Sequence, residues 1–506
     1  MVLLTEKAPT IGLIEVPATG LYDSENRNWT SLYQNRSLIS KQVLIADLQA
    51  GGFNAQLVNL RDDNYREEFG EILWKGMTLR KICVGGQISA VDPQAYDAWG
   101  ITVNFSQDRQ VSCMLIEHLA KGGRPIVVGG SDALAEPQHY LKAGAVAVVQ
   151  DKSGAANWAI FDYVLGKTPR EPLTGVLLAD GRHFPRKTHA KSPEDWALPS
   201  LDVVKQCFGT QPNVQGVVPI GSVVADIGCD RKCDFCQTPT YGTGFRRMSP
   251  KTTLKWLALQ KEAGARSIYI GSDQFLARGL FPEGRQEILE ITNGAREMGL
   301  SLMWPNGLEL RKATVGHGLN YKDTDLSPDE EIIEALFGWD GNLGCALAYI
   351  PAERPVFGTE SYSKLLPWQE HKTLMKSVVR TGVPVITYGV IIGLPDDDNE
   401  SLLRLEEAVT ELVDELVEVN PQVEFQISCY SIAPLPGTPQ SQNLRASGLL
   451  QFEDPCVWGG LWTPTCNTNH LTYEEVSDWQ IRLSKIRRSK TEFTNYNGEY
   501  SALVNN

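Results

Sequence analysis

The chain has 506 residues, of which 42% are hydrophobic and 21% charged; this is ordinary globular composition with material for more than one core, and it excludes a disordered chain. A formal net charge of −14 disfavours nucleic acid as a partner, because phosphate recognition needs a basic face. The opening MVLLTEKAPTIG has no basic stretch followed by a long apolar run, and the longest apolar segment, 383–395, is too short for a bilayer; the expectation is a cytoplasmic protein with neither signal peptide nor membrane span.

Residues 8–180 alternate short apolar runs with amphipathic stretches. Residues 10–16 (TIGLIEV) predict a first strand, 37–50 a helix that stops at Gly51-Gly52, and 55–60 a second strand. Further strands are expected at 99–105, 125–128 and 145–149, with helices over 111–120 and 137–143. This order predicts a parallel, doubly wound Rossmann-like sheet, with ligands at the carboxyl ends of the strands. Those ends carry 18–24, 106–110, 129–132 and 150–154. Residues 181–215 hold Pro185, Pro193 and Pro199 and no clear period, as a linker does.

From 216 to 440 the alternation resumes. Strands are expected at 222–227, 267–270, 301–304, 343–350, 385–392 and 423–430, and helices at 250–263, 285–298, 328–337, 372–381 and 400–419. Six βα-type units predict a partial (βα)6 barrel with an open side. The remainder, 441–506, combines an irregular tryptophan-containing stretch, an amphipathic helix over 473–488 and a polar tail. The expected α/β organisation is therefore a Rossmann-like domain at 1–180, a linker at 181–215, the barrel at 216–440 and a C-terminal segment.

Residues 225–239 read ADIGCDRKCDFCQTP. Cys229, Cys233 and Cys236 follow an apolar strand at a spacing that lets three thiolates surround one face of a cubane iron–sulfur cluster. The loop holds no fourth cysteine or histidine, which leaves one iron open to a substrate. Zinc is the rival metal. A structural zinc site needs four closed ligands, and the nearest other cysteines are Cys207 and Cys345. The competing reading is a zinc-stabilised, non-catalytic binding protein with a distant fourth ligand. Ten cysteines with one tight cluster fit a reducing compartment better than a disulfide framework.

Cys229-x3-Cys233-x2-Cys236 after the first strand of a six-unit barrel resembles the radical S-adenosylmethionine (SAM) superfamily. The resemblance implies a 4Fe-4S cluster whose open iron chelates SAM. One-electron reduction, from a donor such as flavodoxin or ferredoxin, would cleave SAM to methionine and a 5′-deoxyadenosyl radical that abstracts hydrogen from an unactivated carbon. By the same resemblance Phe235 packs near the adenine. Gly389, Ile391 and Gly393 in 388–395 (YGVIIGLP) lay backbone along ribose and adenine, a close approach that glycine permits. Glu353 in YIPAER ends the fourth strand near SAM. Taken without the cysteine loop, those segments read as a buried strand ending in a turn and a surface glutamate. The family's second strand ends in Gly-Gly-Glu, which binds the SAM amino group; here Gly271-Ser272-Asp273 stands instead, so Ser272 and Asp273 are the candidate substitutes.

The N-terminal alternation and the Gly129-Gly130 turn resemble the cobalamin-binding domain of one large branch of that superfamily. No cobalt ligand is apparent: the motif Asp-x-His-x-x-Gly is absent, the loop 18–24 has no histidine, and QDKSGA at 150–155 lacks the branch's Gly-Glu-Gly-Glu run. Cobalamin binding and a degenerate domain used for packing or substrate docking both remain open. Cys83, Cys113, Cys207 and Cys345 read as core residues. No spacing supports Cys456, Cys466, His139 or His470 as ligands. Asp396-Asp397-Asp398 is expected to cap the next helix and be solvated. Cys429, near the carboxyl end of the sixth strand, is a candidate hydrogen donor of the kind used by proteusin-type radical peptide epimerases. The favoured reaction is cobalamin-assisted C-methylation of a natural product or peptide; the rival is epimerisation of peptide residues from L to D with Cys429 completing the hydrogen transfer.

Overall fold

The architecture is that of a computed structural model, which describes residues 7–186, 191–210, 217–316, 325–356 and 366–488. In the N-terminal lobe five parallel strands stand in the order Asn54–Asn59, Thr10–Glu15, Ala98–Thr102, Ile126–Gly129 and Ala147–Val149. Both faces of this sheet are covered. Leu13 and Val127 enter one core with Ile45, Leu48 and Ile160, while Ile14, Ile101 and Val128 enter the other with Val111, Leu115 and Leu119. Burial on both faces explains why these strands are continuous apolar runs. The strand order reverses beside Thr10–Glu15, which opens a crevice at the carboxyl ends.

The structure departs from expectation in this lobe in two places. Residues 18–24 are not a simple loop: Ala18–Tyr22 pairs with Met77–Gly85, which pairs with Tyr65–Trp74, in a three-stranded antiparallel sheet. The hairpin turns at Lys75 and Gly76, both at positive φ (49° and 69°), as a tight two-residue turn requires. Second, the stretch read as a linker is structured. His183–Phe184 extends the first sheet through Val176–Leu178, and Leu201–Gln206 is a helix capped by Ser200. Val203 and Cys207 pack in the first-lobe core. Residues 187–190 and 211–215 of that stretch, and the polar tail from 489, lie outside the described residues.

The second lobe has six parallel strands in chain order: Ile220–Val223, Ser267–Ile270, Ser301–Trp304, Cys345–Glu353, Val385–Ile392 and Glu424–Ser431. Their outward side chains, among them Ile268, Tyr388, Val390, Phe425 and Ile427, share one core with the helices Pro250–Ala263, Gly284–Glu297, Glu330–Phe337, Trp368–Arg380 and Asn399–Val419. The predicted helix over 473–488 ends at Ser484, because Arg487–Arg488 pairs antiparallel with the sixth strand. The lobes meet through the helix Ile39–Ala50: Ser37 and Ser222 join their hydroxyls at 2.6 Å, and Gln260 donates to Gln42 at 2.8 Å. A second seam buries Trp29 and Trp74 of the first lobe against Trp458, Trp462 and Cys456 of the C-terminal segment.

One buried group gives the barrel a pH signature. The Tyr388 hydroxyl lies 2.7 Å from His371 Nε2, and burial pulls the imidazole down to about 4 from its ordinary 6.5. Between these values the unfolded chain takes up a proton that the folded chain refuses, so stability rises with pH across the window. At roughly 1.4 kcal/mol per unit this group removes about 3 kcal/mol by pH 4. Denaturation followed from pH 7 to 4 should steepen through this range, and His371→Gln should flatten the loss. An unchanged slope in the variant would exclude His371 as its source.

Candidate active site

The cysteine loop begins where the barrel's first strand ends. Asp226–Ile227 pairs with Arg246–Arg247, and Gly228 follows at φ 77°. A Cβ there would overlap the Gly244 carbonyl, so only glycine fits. The Gly228 N–H donates to Asp273 Oδ2 at 2.6 Å, which ties the loop to the end of the second strand. Cys229, Cys233 and Cys236 form no disulfide and are of intermediate exposure; the Cys236 N–H donates to the Cys233 carbonyl at 3.2 Å, and the Arg231 N–H to Cys229 Sγ at 3.4 Å. A charge network, buried at Arg231, Glu309 and Lys312, braces the loop from the barrel side. Arg231 pairs with Glu309, and Lys312 pairs with Glu309 and, at 3.0 Å, with Asp230. Gln274 Nε2 also donates to Glu309 at 3.2 Å. Among the described residues no three His, Cys, Asp or Glu side chains converge on a single ion. A cubane does not ask for that, since each thiolate binds a different iron.

The other predicted site residues fall into four places. Phe235 and Ile391 come together in one apolar patch with Ile432, Leu394 and Leu444, beside the ends of strands five and six. Glu353 and Gly393 sit at strand ends in left-handed conformations, φ 59° and 76°. For a glutamate this is a strained position, and it coincides with a register shift between strands four and five. Ser272 is buried, and Asp273 serves the Gly228 N–H. At Gly389 the missing side chain makes room for Tyr349, whose hydroxyl a Cβ would overlap.

Two expectations are corrected. Cys429 follows the parity of Phe425 and Ile427, so its fully buried thiol points into the helix layer and not into the barrel mouth; Ser428 and Tyr430 are its neighbours of opposite parity. Asp398 caps the next helix, accepting from the Ser401 N–H at 2.8 Å, but Asp397 is not solvated: it is wholly buried and paired with Arg354 at 2.6 Å.

Between the lobes lies a cavity of about 560 Å3. Its first-lobe wall is built at the carboxyl ends of the strands from Glu15, Gly129, Gly130, Ser131, Lys152 and Ser153; its barrel wall includes Asp226, Tyr241, Asp273 and Asn306. Gly130, at φ 105°, has no room for a Cβ against the Val103 carbonyl. Lys152 donates to Ser131 Oγ at 3.0 Å, and Tyr241 donates to the same oxygen at 2.7 Å. Burial lowers the Lys152 ammonium, with Asp273 opposing; burial raises Asp273, with the Gly228 N–H and Lys152 opposing. Burial also raises Asp226, to about 6. Lys152 and Tyr241 were not singled out from sequence. The signal available was position, the loop after the fifth strand for one and the stretch just beyond the cysteines for the other.

The architecture is shared with solved proteins. The chain matches the cobalamin-dependent S-adenosylmethionine radical enzyme OxsB, solved with aqua-cobalamin and S-adenosylmethionine bound, at 16% identity and TM-score 0.63, over 95% of this chain and 67% of that one. It has the fold of the cobalamin-dependent radical SAM enzymes. The radical S-adenosylmethionine methyltransferase TsrM from Kitasatospora setae, solved with cobalamin and a 4Fe-4S cluster, matches at 14% identity and TM-score 0.55, over 88% of this chain and 76% of that one. No family model and no curated protein matches in sequence. The likeness covers both lobes, so the radical SAM barrel and the cobalamin-type Rossmann lobe stand in this chain as one continuous fold. No helix among the described residues is long and apolar enough to cross a membrane.

Proposed function

We propose that this chain is a cobalamin-dependent radical SAM enzyme that methylates a carbon of a natural product or peptide, with Cys229, Cys233 and Cys236 as the cluster ligands. The observation that carries the reading is the cavity between the lobes, which reaches from the carboxyl ends of the Rossmann strands to Asp273, the residue that holds the cysteine loop. The donor set fits a cluster: three thiols within eight residues, on a loop braced by ion pairs to the buried Glu309 and Lys312 and anchored through Gly228. The cavity fits a corrinoid laid on the carboxyl ends of the first-lobe strands, where Gly129 and Gly130 leave the wall without side chains and Thr102, Asn104, Ser131 and Ser153 offer polar groups. None of the described residues lining it is His, Cys or Met, in keeping with the missing cobalt-ligand motif.

When bound, the cluster supplies the electron that cleaves SAM, and the corrinoid supplies the methyl carrier. The chain's own residues position and enclose. Asp273 and Gly228 fix the cysteine loop, Phe235 and Ile391 offer an apolar face for the adenine, and the strained Glu353 turn with Gly393 presents backbone at the ends of strands four and five. Lys152 and Tyr241 hold the Ser131 hydroxyl at the cavity wall. Cys429, buried in the helix layer, takes no part, and methyl transfer should survive Cys429→Ala.

Protein purified without oxygen tests the reading. Expected are about four irons and four sulfides per chain and a reduced-state EPR signal that SAM alters. Uptake of cobalamin and transfer of label from methyl-labelled SAM to a carbon of the product should accompany them. Stoichiometric zinc in place of iron after reconstitution under reducing conditions would overturn the assignment; an iron–sulfur protein that takes up no corrinoid would remove the methyl-transfer part alone.

A further inference from the structure

The first-lobe wall of the cavity carries buried donors that meet no acceptor. Arg36 lies with its guanidinium carbon 4.0 Å above the Tyr33 ring, and Tyr33 stacks on Phe105 at 4.6 Å. Tyr33 and Asn35 both hold left-handed φ angles, 56° and 57°, so a strained loop fixes the arginine in place. Its Nε and Nη2 are buried and meet no acceptor. Arg61, only 3% exposed, donates Nη1 to the Leu32 carbonyl at 2.9 Å and Nη2 to Asp108 at 2.8 Å, yet its buried Nε has no hydrogen bond, Glu15 standing 3.9 Å away. Beside these arginines the helix Ile39–Ala50 begins with Leu38 at its N-cap, no side-chain cap and no acid in its first turn. Ser37, Leu38, Ile39 and Ser40 line the same cavity.

The acids close by already have partners, and none of them hydrogen-bonds Arg36 or the Nε of Arg61. Glu15 accepts from Lys41 Nζ at 2.8 Å, Asp108 from the Thr19 N–H at 2.8 Å and from Arg61, and Asp151 from Ser153 and the Ala155 N–H. Asp62 accepts from Asn35 and Asn59 and does not line the cavity. An uncapped helix N-terminus offers N–H groups and a partial positive charge, and an arginine fork matches phosphate oxygens.

We propose that Arg36, Arg61 and the N-terminus of the Ile39–Ala50 helix form a phosphate subsite in the cavity, and that its occupant is the phosphodiester of the corrinoid's nucleotide tail. The assignment rests on the corrinoid reading above. Charge-assisted hydrogen bonds to a tethered phosphate replace the missing partners of Arg36 Nε and Nη2 and Arg61 Nε. Arg36, with its ring stack, then selects complete corrinoids over those without the tail.

Corrinoids that differ only in the tail test this, with binding read by corrin absorbance and tryptophan quenching and no turnover required. The wild-type protein should bind cobinamide phosphate about tenfold more tightly than cobinamide, the scale of one or two charge-assisted bonds. Arg36→Gln should bring the two within about twofold and leave the cobinamide Kd unchanged; Arg36→Lys should keep part of the preference, and added salt should weaken it in the wild type. Equal wild-type affinities, or an Arg36→Gln variant that loses both ligands alike, would overturn the subsite while cobalamin binding stands. Tight binding of inorganic phosphate without corrinoid would overturn the tail assignment. Failure of every corrinoid to bind would overturn this inference together with the corrinoid reading.

Discussion

Single alanine replacements of Cys229, Cys233 and Cys236 are each expected to cut iron from about four to below about one per chain after anaerobic reconstitution, and to lower SAM cleavage at least about a thousandfold. A cubane held by three protein thiolates has no spare ligand, so the loss of one leaves two irons without a protein bond. The fold should survive. The loop is held independently of metal, by Arg231 on Glu309, Lys312 on Asp230 and Glu309, and the Gly228 N–H on Asp273. Cys207→Ala, Cys345→Ala and Cys429→Ala should keep their iron, because all three thiols lie in cores. Gly228→Ala should behave as a cysteine variant although every thiol remains, since its Cβ would overlap the Gly244 carbonyl and its φ of 77° disfavours alanine. Full iron in any one cysteine variant would remove that cysteine from the ligand set. Equal iron loss in Cys345→Ala would point to unfolding as the cause.

Legibility from sequence followed the physics of each element. Three barrel strands, 267–270, 301–304 and 385–392, were readable to the residue, because each is a short apolar run closed by glycine, proline or a polar turn. The helix Pro250–Ala263 was readable at both ends, with Ser249 as cap, Pro250 in its first turn and Gly264 in the left-handed conformation. Strand Tyr65–Trp74 was not readable. Its sequence YREEFGEILW is largely exposed and carries a bulge at Gly70, so neither an apolar run nor clean alternation marks it. The linker region misled for a related reason: prolines and charges hide a six-residue helix whose burial comes only from contact with the first lobe. Within the site the cysteine spacing is local and therefore visible. Parity is visible too, once strand ends are known, and it is what turns Cys429 away from the mouth. The cavity wall is different: Arg36, Arg61, Lys152, Tyr241 and Asp273 meet across as many as 237 positions only because the lobes dock, and no local pattern encodes that.

The pair Arg354–Asp397 shows what such long-range placement does for the barrel. Arg354 follows the strained Glu353 at the end of strand four, and Asp397 lies just beyond Gly393 at the end of strand five; both are buried, and their charges meet at 2.6 Å. Asp397 Oδ2 also accepts the Leu394 N–H at 3.0 Å, and its carbonyl accepts from Thr468 Oγ1 at 2.7 Å. One residue, through its carboxylate and its carbonyl, thus ties together the ends of two strands and the C-terminal segment. Removing Arg354 leaves the buried Asp397 carboxylate without the charge it pairs with, and removing Asp397 takes an anion from beside Arg354; breaking a buried pair in this way costs about 3–5 kcal/mol. Asp397→Ala and Arg354→Met should each lower the barrel's unfolding free energy on this scale in equilibrium denaturation. The double variant should cost clearly less than their sum, because once Arg354 is gone, replacing Asp397 removes the carboxylate that had lost its pair. Strict additivity would show that the two charges act separately. The strand ends that the pair holds are those proposed to present backbone to SAM, so Asp397→Asn, which keeps size and an acceptor for the Leu394 N–H, should weaken SAM's effect on the reduced cluster's EPR signal while iron content stays at the wild-type level. An unchanged SAM response at full iron would confine Arg354 and Asp397 to a stabilising role.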